Sequence, residues 1–384
     1  MSKSNPTIFV SAAEASGDAH AAKLIRELRR RRPDARLVGV GGPQMAAAGC
    51  EILFDPTDQA SMLLGGPLLK LGYYCRLIRR IKRRIAELRP DVHVPVDSPA
   101  LNWHLAAASK RSGAKVVYYI APQVWAWAPW RVKKIIRLTD HVACILPFEQ
   151  DWLRQRGVKA TYVGHPLFDD LPERPGELPN LLRAFADGQW RVVLLAGSRP
   201  AEIHHHARAL AATAGAIRNR WPDVRCIFAP GTERAAGLIR ARLRPDELAN
   251  VEIVAGQTAE QLAHAHFALA VSGTITLKVA HFGVPMVVVY RASRLMYQAV
   301  GRWLLRTPHL SLVNILAGRR IVPELMPWHG SRRQLTSMAM EMLEDLGGLV
   351  ETRQSLLDVT APLHPGAGQS ASANAAELVL AELG

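Results

Sequence analysis

Short apolar, β-branched runs alternate with longer stretches of helical spacing almost from the start of the chain. TIFVSAA at 7–13 is one such run, SGD at 16–18 punctuates it, and AAKLIRELRRRR follows with Leu24, Ile25 and Leu28 on one helical face. The pattern predicts strand, loop and helix. It recurs as RLVGVGG at 36–42, a helix around 44–48, a helical stretch at 73–89, VHVPV at 92–96, a helix at 102–111 and KVVYYIA at 115–121. DHVACILP at 140–147 and KATYVGHP at 159–166 continue it. Strands that are apolar on both faces and separated by helices predict a mostly parallel sheet covered on both sides.

PERPGELPNLLRAFADG, residues 172–188, is the strongest composition break in the interior and reads as a linker. Beyond it the alternation restarts with WRVVLLAGSR at 190–199, VRCIFAPG at 224–231, VEIVAG at 251–256, FALAVSG at 267–273 and VPMVVVYR at 284–291, with helices between. The expected organisation is α/β, with one domain over 1–171, a linker over 172–188 and a second domain over 189–362. A polar linker and terminal helix occupy 363–384.

Composition narrows the class. The 384 residues are 49% apolar and 21% charged, enough for two ordinary domains. The four cysteines, Cys50, Cys75, Cys144 and Cys226, are widely separated and lack the spacing of a zinc ribbon, an iron–sulfur cluster or a disulfide scaffold. No run approaches 18 uninterrupted apolar residues, and the first residues carry no apolar signal core, so secretion and membrane spanning are disfavoured and the cytoplasm is expected. The net charge of +15 is concentrated early: residues 1–170 carry 26 basic and 15 acidic side chains, the remainder 22 and 18. A positive field favours an anionic partner, whether nucleic acid, an anionic bilayer or a phosphorylated small molecule. No zinc finger, RNP motif or helix-turn-helix supports nucleic acid.

Candidate chemistry gathers at the ends of predicted strands. Glu14 and Asp18 follow the first strand, where doubly wound sheets bind ligands, although Ser16 or Asp18 equally suits a helix cap. VGVGGPQM lacks the GxGxxG spacing, so Gly39, Gly41 and Gly42 read as a tight strand-to-helix turn. Asp97 in PVDSPALN stands beyond VHVPV, placed either to take a proton from a hydroxyl or to form an Asx turn. Trp125, Trp127 and Trp130 beside Arg131 and Lys133 form either an apolar wall with a positive rim or ordinary core. In the second domain, LLAGSRPAEI places Ser198 and Arg199 at a glycine turn, and VSGTITLK repeats the arrangement with Ser272, Gly273 and Thr274; both suit phosphate oxygens without matching a P-loop. His165 fits either a ligand contact or a buried turn, and the consecutive His204, His205 and His206 cannot converge on one metal from a regular helix. Between Tyr73 and Leu88, Leu77, Ile81, Ile85 and Leu88 line one helix face, with Arg76, Arg79, Arg80, Lys82, Arg83 and Arg84 around it. This face either covers the sheet with a solvated basic side or meets an anionic bilayer. Residues 62–72 read as an acyl-contacting loop or a buried connection.

In this order, AAEASGD, VGVGGPQMAAAGC, VDSPALN, PQVWAWAPWRVKKI, ILPFE, YVGHPLFD, LLAGSRPAEI, SGTITLK and LVNILAGRRIVPEL resemble the lipid-A-disaccharide synthase family over essentially the whole chain. The resemblance implies two Rossmann-like domains in a GT-B arrangement, an inverting glycosyltransferase, and no metal or redox cofactor. It implies UDP-2,3-diacylglucosamine as donor, 2,3-diacylglucosamine 1-phosphate as acceptor, and a peripheral location on the cytoplasmic face of the inner membrane. On the same footing Asp97 matches the general base, Glu14 an acidic acceptor-side residue, Arg199 a diphosphate contact, Ser272, Gly273 and Thr274 the nucleotide turn, and Asn314 the asparagine of the NLLAG-like segment. Arg291 is a further candidate for the anionic donor. The chain departs from the family pattern at Lys278, where an acidic residue usually meets ribose hydroxyls, and at Ala100, Pro327 and the stretch around Gly66. A transferase with another nucleotide-sugar donor or acceptor, and a non-catalytic anionic-lipid-binding relative, are the alternatives.

Overall fold

The computed structural model describes residues 5–56, 67–126, 128–175, 178–291, 307–364 and 369–383, with the side chains of 67–71 and 73 left out. Trp127 and residues 62–66 of the predicted 62–72 loop lie outside the described residues, and from Pro67 onward that stretch is helix, not loop. Two compact units divide the chain: residues up to Asp169 together with those from Leu363 onward, and Asp170–Pro362 between them.

The first unit alternates β1 (Thr7–Ser11), α1 (Ala15–Arg31), β2 (Arg36–Val40), α2 (Pro43–Ala47), β3 (Glu51–Phe54), α3 (Pro67–Leu88), β4 (Val92–Pro95), α4 (Pro99–Arg111) and β5 (Lys115–Tyr119). It continues through α5 (Val132–Leu138), β6 (His141–Cys144), α6 (Pro147–Arg154) and β7 (Ala160–Tyr162). Every pairing is parallel and the strand order is β3-β2-β1-β4-β5-β6-β7. The strands are mainly apolar because helices cover both faces, with Ser11, His93 and His141 as buried polar exceptions. On one face Leu77, Ile81 and Ile85 of α3 pack with Phe9, Val40, Leu101 and Leu105, which turns Arg79, Arg80, Arg83 and Arg84 outward.

The second unit begins with α7 (Leu181–Ala186), inside the stretch read as linker; Leu181 is buried in this unit's core. There follow β8 (Arg191–Leu195), α8 (Pro200–Arg220), β9 (Arg225–Phe228), α9 (Glu233–Arg242), α10 (Pro245–Leu248), β10 (Glu252–Ile253), α11 (Thr258–Ala263), β11 (Phe267–Val271), α12 (Ile275–His281) and β12 (Met286–Arg291). Then come α13 (Leu312–Ala317), β13 (Glu324–Trp328), α14 (Arg332–Glu344) and α15 (Leu346–Thr360). This sheet is also wholly parallel, in the order β10-β9-β8-β11-β12-β13. Each unit therefore has the doubly wound Rossmann topology, with strand order reversing once.

The terminal helix α16 (Ala371–Ala381) belongs to the first unit, where it packs along α1. Asp169 of the YVGHPLFD motif fastens its start. One carboxylate oxygen accepts from Ala371 N at 2.7 Å; the other accepts from Ser372 N at 3.1 Å and Ser372 Oγ at 2.8 Å. A carboxylate on the first amides of a helix satisfies donors that have no partner within the helix. Asn374 Nδ2 adds a bond to Val163 O at 3.0 Å. Asp169→Ala should loosen this docked helix by about 1–3 kcal/mol. The loss should appear as faster amide exchange across α16 with the strands of the second unit unchanged; equal exchange in both proteins would contradict the fastening role.

Candidate functional site

Loops leaving the carboxyl ends of two neighbouring strands diverge where strand order reverses, and the crevice between them is the customary ligand site of an open α/β sheet. In the first unit that point lies between β1 and β4, and Glu14 and Asp97 follow those two strands. Glu14 is the N-cap of α1, but its side chain makes no capping bond and is exposed. Asp97 is half-buried. Burial raises its carboxyl above the usual range, a backbone bond from Ser98 pulls it back, and the negative charge of Glu14 pushes it up again.

The backbone at this point is unusual. Asp97 and Ser98 have φ of 50° and 47°, both in the left-handed region, at a cost of about 1–2 kcal/mol for each such residue. The conformation is held from several sides. Asp97 N donates to Tyr119 O at 3.1 Å, and Asp97 O accepts from Asn102 Nδ2 at 2.7 Å and from Tyr118 Oη at 2.8 Å. Asn102 in turn accepts from Ser11 Oγ at 2.7 Å, and Ser11 Oγ lies 2.8 Å from His93 Nε2. Ser11, His93 and Tyr118 were not singled out from sequence. Each sits in a strand otherwise read as core, where the polar atoms of Ser11 and His93 within apolar runs, and the hydroxyl of Tyr118 beside Tyr119, are the available signals.

Several motif residues serve the architecture. Asp18 caps α2, not α1: Oδ1 accepts from Gly42 N at 2.8 Å and Met45 N at 3.1 Å, and Oδ2 accepts from Gln44 N at 3.0 Å. The AAEASGD and VGVGGPQM segments are thus two halves of one joint. Gly41 belongs to it because a Cβ there would collide with the Met45 thioether. Of the three tryptophans of PQVWAWAPWR, Trp127 lies outside the described residues and the other two differ: Trp125 is buried and donates from Nε1 to Glu149 Oε1 at 2.8 Å, whereas Trp130 is 56% exposed. His165 is a buried turn residue whose Nδ1 accepts from Leu167 N at 3.2 Å; burial, with His20 nearby, lowers its pKa to about 3.

In the second unit strand order reverses between β8 and β11, and the candidates collect at the ends of β8, β11 and β12. Gly197 turns the chain at φ 96°, and Glu202 folds back so that its Oε2 accepts from Ser198 N at 2.9 Å and Arg199 N at 3.1 Å. These two amides are therefore already satisfied within the chain. The Arg199 guanidinium, on a side chain 73% exposed and 3.5 Å from Glu202, is the cationic group this turn presents. Ser272 N donates to Val289 O at 3.0 Å, Gly273 has φ 149°, and Thr276 Oγ1 ties back to Gly273 O at 2.8 Å, leaving Gly273 and Thr274 exposed at the start of α12.

Arg291 ends β12 with its side chain exposed. Its N–H donates to His206 Nε2 at 2.9 Å, so the 2.7 Å bond between His206 Nδ1 and Glu202 O places the ring proton on Nδ1. Burial lowers the pKa of this neutral imidazole. It thereby links the end of β12 to the first turn of α8, bringing Arg291 and Arg199 to the same end of the sheet. Asn314 is placed differently. It is fully buried, its Oδ1 accepts from Ile321 N at 2.8 Å and Val322 N at 3.0 Å, and its Nδ2 donates to Val322 O at 2.9 Å. It clamps the bend leading into β13 and is not brought to the strand ends with the other candidates.

A cavity of about 590 Å³ opens beside the carboxyl ends of β9 and β10, with Glu173, Gly231, Gln257, Glu260, Lys278 and Phe282 among its lining residues. That size suits a small organic ligand. Lys278 is half-buried there: burial lowers its pKa, and Asp170 acts in the opposite direction. Among the described residues no cluster of three His, Cys, Asp or Glu side chains could hold a metal ion.

Two Rossmann-like units in one chain, with polar residues at both switch points, define the GT-B class. Solved structures agree in fold: S. aureus MnaA determined with UDP (TM-score 0.59, 11% identity, 97% of this chain and 94% of that one) and the calicheamicin glycosyltransferase CalG4 (TM-score 0.58, 15% identity, 98% of each chain). The family profile described as lipid-A-disaccharide synthetase matches residues 8–376. The lipid-A-disaccharide synthase of Anaeromyxobacter sp. strain K is 38% identical over 93% of this chain and 94% of its own, and that of Geobacter sulfurreducens 36% identical over 98% and 97%. This chain belongs to the lipid-A-disaccharide synthase family.

Ionisation of Asp97 has a measurable consequence for stability. A carboxyl whose folded pKa is raised favours folding most while protonated, below its unfolded pKa, and that contribution is lost as pH rises through the folded pKa. Asp97→Asn should therefore be more stable than the parent at neutral pH, with the gap closing as the pH is lowered through the carboxylate range. A pH-independent difference in thermal midpoint would contradict the raised pKa.

Proposed function

We propose that this protein transfers 2,3-diacylglucosamine from its UDP conjugate to 2,3-diacylglucosamine 1-phosphate, releasing UDP. The reading is carried by a family match that runs through both switch points, with the matching aspartate, Asp97, at the mouth of the first sheet. Its chemistry fits the role. The Asp97 carboxylate takes the proton of the attacking 6-hydroxyl, the hydroxyl oxygen bonds to the donor's anomeric carbon with inversion, and the bond to the β-phosphate oxygen breaks to release UDP. A base with a raised pKa is better matched to a hydroxyl than an ordinary carboxylate. Glu14 lies on the acceptor side, while Arg199 and Arg291 and the Ser272–Gly273–Thr274 turn face the diphosphate. The guanidiniums stabilise the charge that grows on the leaving group.

The cavity beside Lys278 is the nucleoside end of the donor site in this reading. An ammonium there cannot accept a hydrogen bond from a ribose hydroxyl as the family's acidic residue would, and this departure, with that at Ala100, motivates a second reading in which the nucleotide-sugar donor or the acceptor differs. A product-resolved matrix of donors and acceptors separates the two. Disaccharide 1-phosphate and UDP should form together from the diacylated pair, and Asp97→Asn should lower the single-turnover rate by about 10²–10⁴-fold with smaller effects on binding. Turnover only with a different donor or acceptor would select the second reading.

The acceptor's acyl chains require access to a lipid surface, and the exposed arginines of α3 are the surface proposed to meet it. Among the described residues no helix is long and apolar enough to cross a membrane. Near an anionic bilayer each basic side chain contributes about 1 kcal/mol before screening. Reversing Arg79, Arg80, Arg83 and Arg84 to glutamate should abolish co-sedimentation with anionic vesicles at low salt, with neutral vesicles as control. Unchanged sedimentation across a salt series would remove α3 from the docking surface.

A further inference from the structure

The polar side chains beneath Asp97 form a chain of hydrogen bonds whose direction follows from valence alone. Asn102 Nδ2 faces three main-chain oxygens, those of Ser11 at 3.3 Å, Val96 at 3.1 Å and Asp97 at 2.7 Å. Carbonyl oxygens only accept, so the amide nitrogen must be on that side and Oδ1 must face Ser11 Oγ. Ser11 spends its one proton on Oδ1 at 2.7 Å, and its hydroxyl oxygen must then accept from His93 Nε2 at 2.8 Å. His93 therefore carries its proton on Nε2. Its Nδ1 is buried with no hydrogen-bond partner among the described residues. Full burial, which lowers the His93 pKa to about 3, keeps the ring neutral, so the direction of the chain holds across the working range of an enzyme.

We infer that Asn102 and Tyr118 are the positioning residues of the reaction, holding Asp97 in its left-handed conformation through its carbonyl oxygen, with Ser11 and His93 fixing the orientation of Asn102. The inference rests on Asp97 being the base. Neither Asn102 nor Tyr118 bonds the Asp97 carboxylate; both donate to the backbone oxygen of the same residue, at 2.7 and 2.8 Å, and so occupy both of its lone pairs. With Asp97 N tied to Tyr119 O, the residue is held from α4 on one side and β5 on the other. Loss of either donor frees the backbone at Asp97 to relax from φ 50° towards the common right-handed or extended regions, which swings the carboxylate away from the sheet mouth. Displacing a reacting group by about 1 Å is enough to cost roughly 100-fold in rate.

Tyr118→Phe and Asn102→Ala, each alone and combined with Asp97→Asn, test the inference. Tyr118→Phe keeps the buried ring and removes only the donating hydroxyl, so it reports even if Asn102→Ala does not fold. The expected result is a kcat at least 10-fold lower for Tyr118→Phe, KM for both substrates within about threefold, and an unchanged thermal midpoint of the second unit. Tyr118→Phe added to Asp97→Asn should produce no further loss, because a positioning residue has nothing left to position. Losses that multiply in the double variant, or a Tyr118→Phe kcat within twofold of the parent while Asp97→Asn is crippled, would overturn the inference and leave Asp97 as the base. A near-parental kcat for Asp97→Asn would instead overturn the base assignment, and the inference with it.

Discussion

A strand in the middle of a parallel sheet is covered on both faces, so its side chains face packed helices and its chemistry must emerge beyond its carboxyl end. In this protein that constraint acts twice. Each sheet reverses its strand order once, between β1 and β4 and between β8 and β11, and at each reversal the emerging loops part instead of packing against each other. Glu14 and Asp97 occupy the first opening, and the GSR and SGT turns occupy the second. Apolar strand interiors and polar strand ends are two results of the same packing.

Much of what looks like binding machinery in the motifs is spent tying the starts of helices in place. Asp18 of AAEASGD accepts three amides of the GGPQM turn, Glu202 of GSRPAEI accepts two amides of its own turn, and Asp169 of YVGHPLFD accepts the first amides of the terminal helix. In each case an acidic side chain takes on helix-start donors that would otherwise lack partners. The consequence at the second switch point is chemical. With Ser198 N and Arg199 N already bonded, the side chains of Arg199 and Arg291 and the Gly273 and Thr274 residues of the glycine turn remain exposed there.

The first switch point depends on a different device. Two successive non-glycine residues in the left-handed region are unfavourable by themselves and persist because a buried polar chain surrounds the backbone there. That chain is enclosed by Phe9, whose ring meets His93 edge-on at 5.0 Å, and by the sheet itself. Low polarity around it strengthens the bonds and makes an unmade one costly, so geometry at Asp97 is coupled to the integrity of the core.

The periodicity of short apolar runs and helical stretches determined the α/β class, the two Rossmann-like units and the position of Asp97, Arg199 and Ser272 just beyond strands, because a buried parallel strand and an amphipathic helix leave different repeats in the chain. Tertiary structure alone decided which motifs meet. Asp18 was legible as a cap, but its partner, α2, lies 24 residues further along the sequence. Asn314 was legible as a family asparagine, yet its fully buried amide clamps the bend at 321–322. The docking of α16 on the first unit, across the whole of the second, leaves no trace in local periodicity. Ser11, His93 and Tyr118 were the least legible of all. A polar side chain within an apolar strand looks the same in sequence whether it is an isolated core residue or part of a network, and only the register of β1 against β4, which brings Ser11 to within 2.8 Å of His93, tells the two apart.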